Sequence, residues 1–303
     1  MFTGCGTALV TPFHRDQSLD EAMLRRLVRR QIDNGIDFLV PCGTTGESPT
    51  LSHAEHVRVV EITLEEAKVG PRQVPVLAGA GGYNTAEVIA LASELAHVGV
   101  DGILSVTPYY NKPTQEGLFQ HYAAIAKALP VLPIVVYSVQ GRTGVNVEPL
   151  TLRRLSALRN IVGVKEASGS ITQIGAVIQQ VPDTFKVLSG DDSITLPLIA
   201  LGGHGLISVA ANEIPAEMTK LVALANQGDF AGARAIQRKY LPLMDINFIE
   251  SNPIPVKAAM AMMGLLEPVW RLPMVPPSEA NEAKIGAVLE SLSLLAIRSA
   301  HAD

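Results

Sequence analysis

Short apolar runs rich in β-branched residues alternate, over the first two thirds of this chain, with longer segments whose apolar positions recur every three to four residues. That alternation is the pattern of βα units wound around a parallel sheet, whose strands are covered on both faces and so read as continuous apolar stretches. The runs predict eight strands: Gly6–Val10, Phe38–Pro41, Val74–Ala78, Gly102–Val106, Ile134–Tyr137, Ile161–Val164, Lys186–Ser189 and Gly205–Val209. Between them, Leu19–Asn34, Ser52–Ala67, Thr85–Val98, Gln115–Leu129, Glu148–Leu158, Ile171–Gln180 and Ser193–Leu201 predict amphipathic helices. After Val209 no strand-like run returns, and Pro215–Asn226, Phe230–Met244, Pro255–Leu265 and Ser278–Arg298 read as helices. The expected organisation is an α/β unit over residues 1–225 followed by a helical extension over residues 226–303. Periodicity alone leaves two architectures open, a closed (β/α)8 barrel and an open doubly wound sheet.

Composition narrows the partners more than the fold. Of 303 residues, 48% are hydrophobic and 17% charged, enough apolar mass for one large core and unlike a disordered chain. The net charge of −5, with no Lys/Arg-rich block, lacks the electrostatic footprint of a nucleic-acid or anionic-membrane binder, so small-molecule partners are expected. The start of the sequence, Met1-Phe2-Thr3-Gly4-Cys5, has neither the basic nor the apolar region of a signal peptide, and no run of membrane-spanning length occurs, so a soluble, cytoplasmic protein is expected. Cys5 and Cys42 are the only cysteines, which implies no disulfide framework.

Lys165 directly follows the run Ile161-Val162-Gly163-Val164, which puts it at the carboxyl end of a buried parallel strand, where α/β barrels carry catalytic groups. An exposed lysine presents its neutral amine in only roughly one molecule in 2,500 at pH 7. A dry barrel interior favours the neutral form, and a neutral amine attacks ketones. The bland alternative is a lysine that ends its strand and reaches back to solvent.

Two loops offer companions. Gly43-Thr44-Thr45-Gly46-Glu47-Ser48, after the second strand, combines hydroxyls with glycine-exposed backbone N–H groups, a suitable cradle for a carboxylate; its plain reading is a turn whose Thr or Ser caps the next helix. Tyr137 ends the fifth strand and Arg142 lies in the loop behind it, pairing a phenol able to move protons with a guanidinium able to grip a carboxylate. As structural residues they are a core aromatic and a surface charge, and Tyr109-Tyr110 is packing or interface.

Other patterns are weaker. Gly79-Ala80-Gly81-Gly82 is not a complete dinucleotide fingerprint, Asp191 and Asp192 suggest helix caps, and His53 and His56 share a helical face without further ligands nearby. No catalytic metal is expected, and neither a nucleophile elbow nor a phosphate-binding loop is present.

Taken together, Gly43-Thr44-Thr45-Gly46-Glu47, Tyr109-Tyr110-Asn111-Lys112-Pro113, Tyr137 through Gly144 and Gly163-Val164-Lys165-Glu166-Ala167 closely resemble the 4-hydroxy-tetrahydrodipicolinate synthase (dihydrodipicolinate synthase) family. The likeness continues in order through Ser189-Gly190-Asp191-Asp192, Gly202-Gly203-His204-Gly205 and Glu250 to Lys257, so it covers nearly the whole chain. The resemblance implies a (β/α)8 TIM barrel with appended helices, usually a homotetramer. It also implies a class I aldolase type of lyase that condenses pyruvate with L-aspartate 4-semialdehyde for lysine and diaminopimelate biosynthesis, with no cofactor. Carried over residue by residue, Lys165 would form the Schiff base, with Tyr137, Thr44 and Tyr110 as proton relay, Tyr110 reaching across a subunit interface. Thr45, with Gly43 and Gly46 in its loop, would bind the pyruvate carboxylate, Arg142 the semialdehyde, and the Ile207 carbonyl would face the lysine.

The same resemblance implies a site for lysine as inhibitor, formed by Ser48, His53, His56, Glu87 and Tyr109, although Tyr83 stands where inhibited relatives commonly carry asparagine. Gln140 stands where such enzymes usually read proline, which predicts a less rigid loop before Arg142. Two further readings are a sibling pyruvate lyase, such as N-acetylneuraminate lyase or a 2-keto-3-deoxy sugar-acid aldolase, and a non-catalytic barrel that binds pyruvate-like ligands. The Gly-Thr-Thr-Gly-Glu loop and Arg142 favour the semialdehyde over sugar-acid substrates, and retention of the nucleophile and its companions argues against a mere binder.

Overall fold

A computed structural model describes residues 1–295. The eight strands are β1 (Gly4–Ala8), β2 (Phe38–Val40), β3 (Leu77–Gly79), β4 (Gly102–Val106), β5 (Ile134–Ser138), β6 (Ile161–Glu166), β7 (Lys186–Ser189) and β8 (Gly205–Ser208). All neighbours are parallel, in the order β2-β1-β8-β7-β6-β5-β4-β3, and a bridge between Leu39 and Val76 brings β2 against β3. Backbone bonds from Leu39 N to the Pro75 carbonyl and from Gly79 N to the Pro41 carbonyl, both 2.9 Å, complete that seam. The sheet is therefore a (β/α)8 barrel, which decides the question that periodicity left open.

The helices are α1 (Glu21–Asp33), α2 (His53–Ala67), α3 (Thr85–Val98), α4 (Gln115–Ala128), α5 (Gln140–Thr143), α6 (Pro149–Leu155), α7 (Ile171–Gln180), α8 (Thr195–Ala200), α9 (Pro215–Asn226), α10 (Phe230–Ile246), α11 (Ile254–Met262) and α12 (Glu279–Ser291). The end of the predicted helix Ser278–Arg298, residues 296–298, lies outside the described residues. No helix among the described residues is long and apolar enough to cross a membrane.

Two strands begin elsewhere than the apolar runs suggest. β3 starts at Leu77 rather than Val74 because Pro75 has no N–H to give to a ladder and the Val76 N–H is taken by the Asp101 side chain at 2.9 Å. β1 spans Gly4–Ala8 rather than Gly6–Val10, since the Val10 N–H is taken by the Asn212 side chain at 3.2 Å instead of a neighbouring strand.

Strand alternation separates two apolar layers. Inside the barrel lie Ala8, Phe38, Val40, Leu77, Leu104, Val135, Leu188 and Ile207, while Leu39, Ile103, Val136, Val164, Val187 and Leu206 face the surrounding helices. Across β5 and β6 the register skips one residue, pairing Ile134 with Ile161 but Val135 with Gly163. That shift sets Tyr137 beside Lys165, and the next pairing sets Lys165 beside Leu188. Paired residues of a parallel ladder point to the same face, so the phenol and the lysine both enter the barrel near its carboxyl end.

Candidate active site

Lys165 is 5% exposed, and its Nζ lies 4.3 Å from the centroid of the Tyr137 ring. Among the described residues it has no carboxylate partner, unlike the second buried lysine, Lys257, which is paired with Glu47. Its stem packs against Gly190: a Cβ there would come within 3.0 Å of Lys165 Cε and 2.6 Å of Ala167 Cβ, so the residue after β7 has no room for a side chain. Lys165 is thus held inward by packing and is not a strand-end lysine reaching solvent.

The Tyr137 ring opens onto a cavity of about 430 Å³ at this end of the barrel, also lined by Gly43, Thr44, Arg142 and Thr143. The Gly43–Ser48 loop is drawn tight by bonds from Gly46 N (3.1 Å) and Ser48 N (3.4 Å) to the Gly43 carbonyl, and Thr11 Oγ1 donates to the Gly46 carbonyl at 2.7 Å. Neither Thr44 nor Thr45 caps the following helix. Ser52 does so, its hydroxyl accepting from Glu55 N while the Glu55 carboxylate accepts from Ser52 N. The plain turn-and-cap reading of the two threonines therefore fails. Thr45 is buried, and its Oγ1 accepts a bond from Asn252 Nδ2 at 3.0 Å.

Arg142 stands on α5, a helical turn that the apolar pattern did not announce. With proline absent at Gln140, the turn is held instead by Gly144 N donating to the Gln140 carbonyl (2.9 Å) and by Thr143 Oγ1 bridging the Val139 and Val145 carbonyls. The segment expected to be less rigid is thus cross-linked by backbone and hydroxyl bonds. Arg142 Nη2 donates to the Asn252 carbonyl at 3.2 Å, and among the described residues the guanidinium forms no ion pair. A free cation aimed at a cavity suits an anionic ligand.

The remaining predicted residues fall in several places. Ile207 is buried inside the barrel on β8, paired with Gly6 of β1. Ser48, His53, His56 and Tyr109 line the same cavity, and His53, Tyr109 and Glu87 line an adjoining one of about 440 Å³. Tyr83 joins that second wall, edge-on to Tyr109 at 5.1 Å, while Asn84 caps α3 and donates to Glu87 Oε1 at 2.9 Å. His56 is buried with its Nε2 2.8 Å from the Gly79 carbonyl, and burial lowers its pKa, so the ring is neutral near pH 7. Tyr110 is not brought to the cavity; it is 89% exposed on the loop after β4.

One reading of the weaker motifs changes. Asp192 is no cap of α8: it is buried at the end of β7 and accepts from Ser208 Oγ and from the Val209 and Ala210 N–H groups, tying β7 to the end of β8. Cys42 lines the cavity, but burial pushes its thiol well above the usual range, which leaves a poor nucleophile. Among the described residues no cluster of three or more His, Cys, Asp or Glu is arranged to hold a metal ion. Sequence reasoning assigned no role to Asn252, Glu47 or Lys257. The only signal was their place in the ordered motifs, since each acts through a partner more than two hundred positions away.

A closed barrel with an inward lysine beside a tyrosine at the carboxyl end of its strands defines an enzyme of the lysine-dependent, class I aldolase type. The chain belongs to the dihydrodipicolinate synthetase family, whose model matches residues 1–292. A 4-hydroxy-tetrahydrodipicolinate synthase from Koribacter versatilis (strain Ellin345) is 54% identical over 293 residues, covering 96% of each chain. Dihydrodipicolinate synthase from Thermotoga maritima superposes with a TM-score of 0.94 at 45% identity, covering 97% of this chain and all of that one. The chloride-inhibited dihydrodipicolinate synthase from Acinetobacter baumannii, in complex with pyruvate, also gives 0.94, at 40% identity over 97% of this chain and 100% of the other.

Proposed function

We infer that this chain condenses pyruvate with L-aspartate 4-semialdehyde to 4-hydroxy-tetrahydrodipicolinate, with Lys165 as the Schiff-base residue. The observation that carries the reading is the inward Lys165, 4.3 Å from the ring of Tyr137, a residue that lines one cavity with Thr44 and Arg142. The names of its relatives support the same reaction.

In this reading the Lys165 amine adds to the pyruvate ketone, and loss of water gives a protonated imine. Tyr137, working with Thr44, moves the protons of addition and dehydration. The imine draws electrons from the adjacent methyl group, which gives up a proton to leave an enamine; that carbon then forms the new bond to the aldehyde. The amine of the semialdehyde attacks the imine carbon, closes the ring and releases Lys165. The imine is itself the electron sink, so neither metal nor organic cofactor enters the steps. Thr45, Gly43 and Gly46 hold the pyruvate carboxylate, Ile207 turns its carbonyl toward the lysine, and Arg142 grips the semialdehyde carboxylate.

Tyr110, wholly turned to solvent in one protomer, completes the relay of a neighbouring subunit in a homo-oligomer, a tetramer in this reading. The work divides at about residue 226: the barrel carries the chemistry, and the helices from α10 onward brace its rim. The enzyme acts in the cytoplasm, in lysine and diaminopimelate biosynthesis. Assayed in parallel, aspartate semialdehyde with pyruvate is expected to give a kcat/KM at least about a hundredfold above that for N-acetylneuraminate or keto-deoxy sugar acids. Comparable turnover of a sugar acid would transfer the chain to the sibling lyases.

Ser48, His53, His56, Glu87 and Tyr109 form an L-lysine site in the same reading, with the Tyr83 ring in place of a small amide. Inhibition by L-lysine is expected in the millimolar range. Unchanged activity throughout that range would remove the site.

A further inference from the structure

We infer that Asn252, in the helical extension, is a positioning residue that forces the Thr45 hydroxyl to act as a donor toward the substrate carboxylate. The inference rests on the preceding reading of Thr45 as a carboxylate ligand.

A hydroxyl carries one proton and two lone pairs, and its direction is set by whichever neighbour claims one of them. Both residues are buried, and Asn252 Nδ2 donates to Thr45 Oγ1 at 3.0 Å. That bond occupies a lone pair and leaves the Thr45 proton free; among the described residues nothing else bonds to Thr45 Oγ1. A carboxylate only accepts hydrogen bonds, so a hydroxyl with its proton held in reserve is the partner it requires.

The amide is poorly placed if its task were structural. Among the described residues its buried Oδ1 has no hydrogen-bond partner, an arrangement that costs stability, so the residue does not satisfy its own polar groups. Its backbone, by contrast, is firmly set. The preceding Glu250 carboxylate accepts from Ser278 N at 3.0 Å and from Asn281 Nδ2 at 2.8 Å, and five residues after Asn252, Lys257 is locked to Glu47 on the threonine loop. The Asn252 carbonyl accepts from Arg142 Nη2, so one residue meets both anion-binding loops, the first through its side chain and the second through its backbone. Side-chain replacement therefore separates the two.

Asn252→Ala frees the hydroxyl to rotate and is expected to raise the half-saturating pyruvate concentration about tenfold. Asn252→Asp preserves shape but can only accept. It claims the Thr45 proton and adds a negative charge, and a rise of at least about a hundredfold is expected. The KM for the semialdehyde stays within about twofold in both variants, because the carbonyl facing Arg142 is unchanged. The measurement is the fraction of protein trapped by borohydride, by mass spectrometry, against pyruvate concentration, with both KM values and Tm alongside. Half-saturation within about twofold of wild type in both folded variants overturns the role of Asn252, even where Tm falls. Absence of a trapped adduct in the wild-type protein overturns the Schiff-base reading itself, and this inference with it.

Discussion

Lys165→Ala is expected to abolish the adduct that borohydride traps between the protein and pyruvate, and to lower kcat/KM for the condensation by at least about 10⁴-fold. The expectation follows from covalent catalysis: without the amine no imine forms, and without the imine the pyruvate methyl group has no electron sink. The variant is expected to fold, because Lys165 makes no ion pair among the described residues and its stem faces Gly190 and the Tyr137 ring. Circular dichroism and Tm report the fold; intact-mass spectrometry reports the adduct. An adduct that survives in Lys165→Ala, or a variant with more than about a tenth of wild-type activity, would sink the assignment.

The second large effect concerns stability. Lys257 and Glu47 are both fully buried, with Nζ 2.5 Å from Oε1; Nζ also donates to the Thr11 carbonyl at 3.1 Å and faces the Phe13 ring at 4.5 Å. Removing one partner of such a pair strands a charge in a medium that cannot solvate it, at a cost of about 3–5 kcal/mol. Lys257→Met is therefore expected to lower Tm by about 10 °C. Adding Glu47→Gln to Lys257→Met recovers a large part of that loss, since no carboxylate is then left unpaired. Both scans are read by calorimetry at neutral pH, and a single variant within about 0.5 kcal/mol of wild type refutes the account. Because Glu47 closes the loop that carries Thr44 and Thr45, the single variant also weakens pyruvate binding before it melts.

Legibility along the chain follows the range of the forces involved. The eight strands and most helices were legible because burial on both faces leaves continuous apolar runs and burial on one face leaves a helical period. Thr85–Val98, Ile171–Gln180 and Pro215–Asn226 were placed to the residue, helped by Asn84 and Ser170 as side-chain caps and by Pro215 at a helix start. The short turn Gln140–Thr143 escaped because four residues span barely one helical period, too few to show a repeat, and its stability comes from Thr143 and backbone bonds. In the loops, one-dimensional reading named residue types without saying what they do. Asp192 read as a helix cap, and the barrel turned it into a strand tie; Ser52, unremarked, proved to be the cap that frees the two threonines.

Lys165 shows where the boundary lies. Its place after an apolar run was determined by sequence alone, as was its membership of an ordered set with Tyr137, the threonine loop and Arg142. That it points inward, beside Tyr137 and against Gly190, was decided by tertiary structure, since a single skipped residue between β5 and β6 sets which side chains share a face. The same holds for Asn252 and Lys257. Their partners, Thr45 and Glu47, lie 207 and 210 positions away, and only barrel closure followed by the return of the helical extension brings such pairs within hydrogen-bond range. Apolar patterning acts locally and survives in the order of residues, whereas the direction of a hydroxyl and the pairing of a buried charge exist only once the chain has folded.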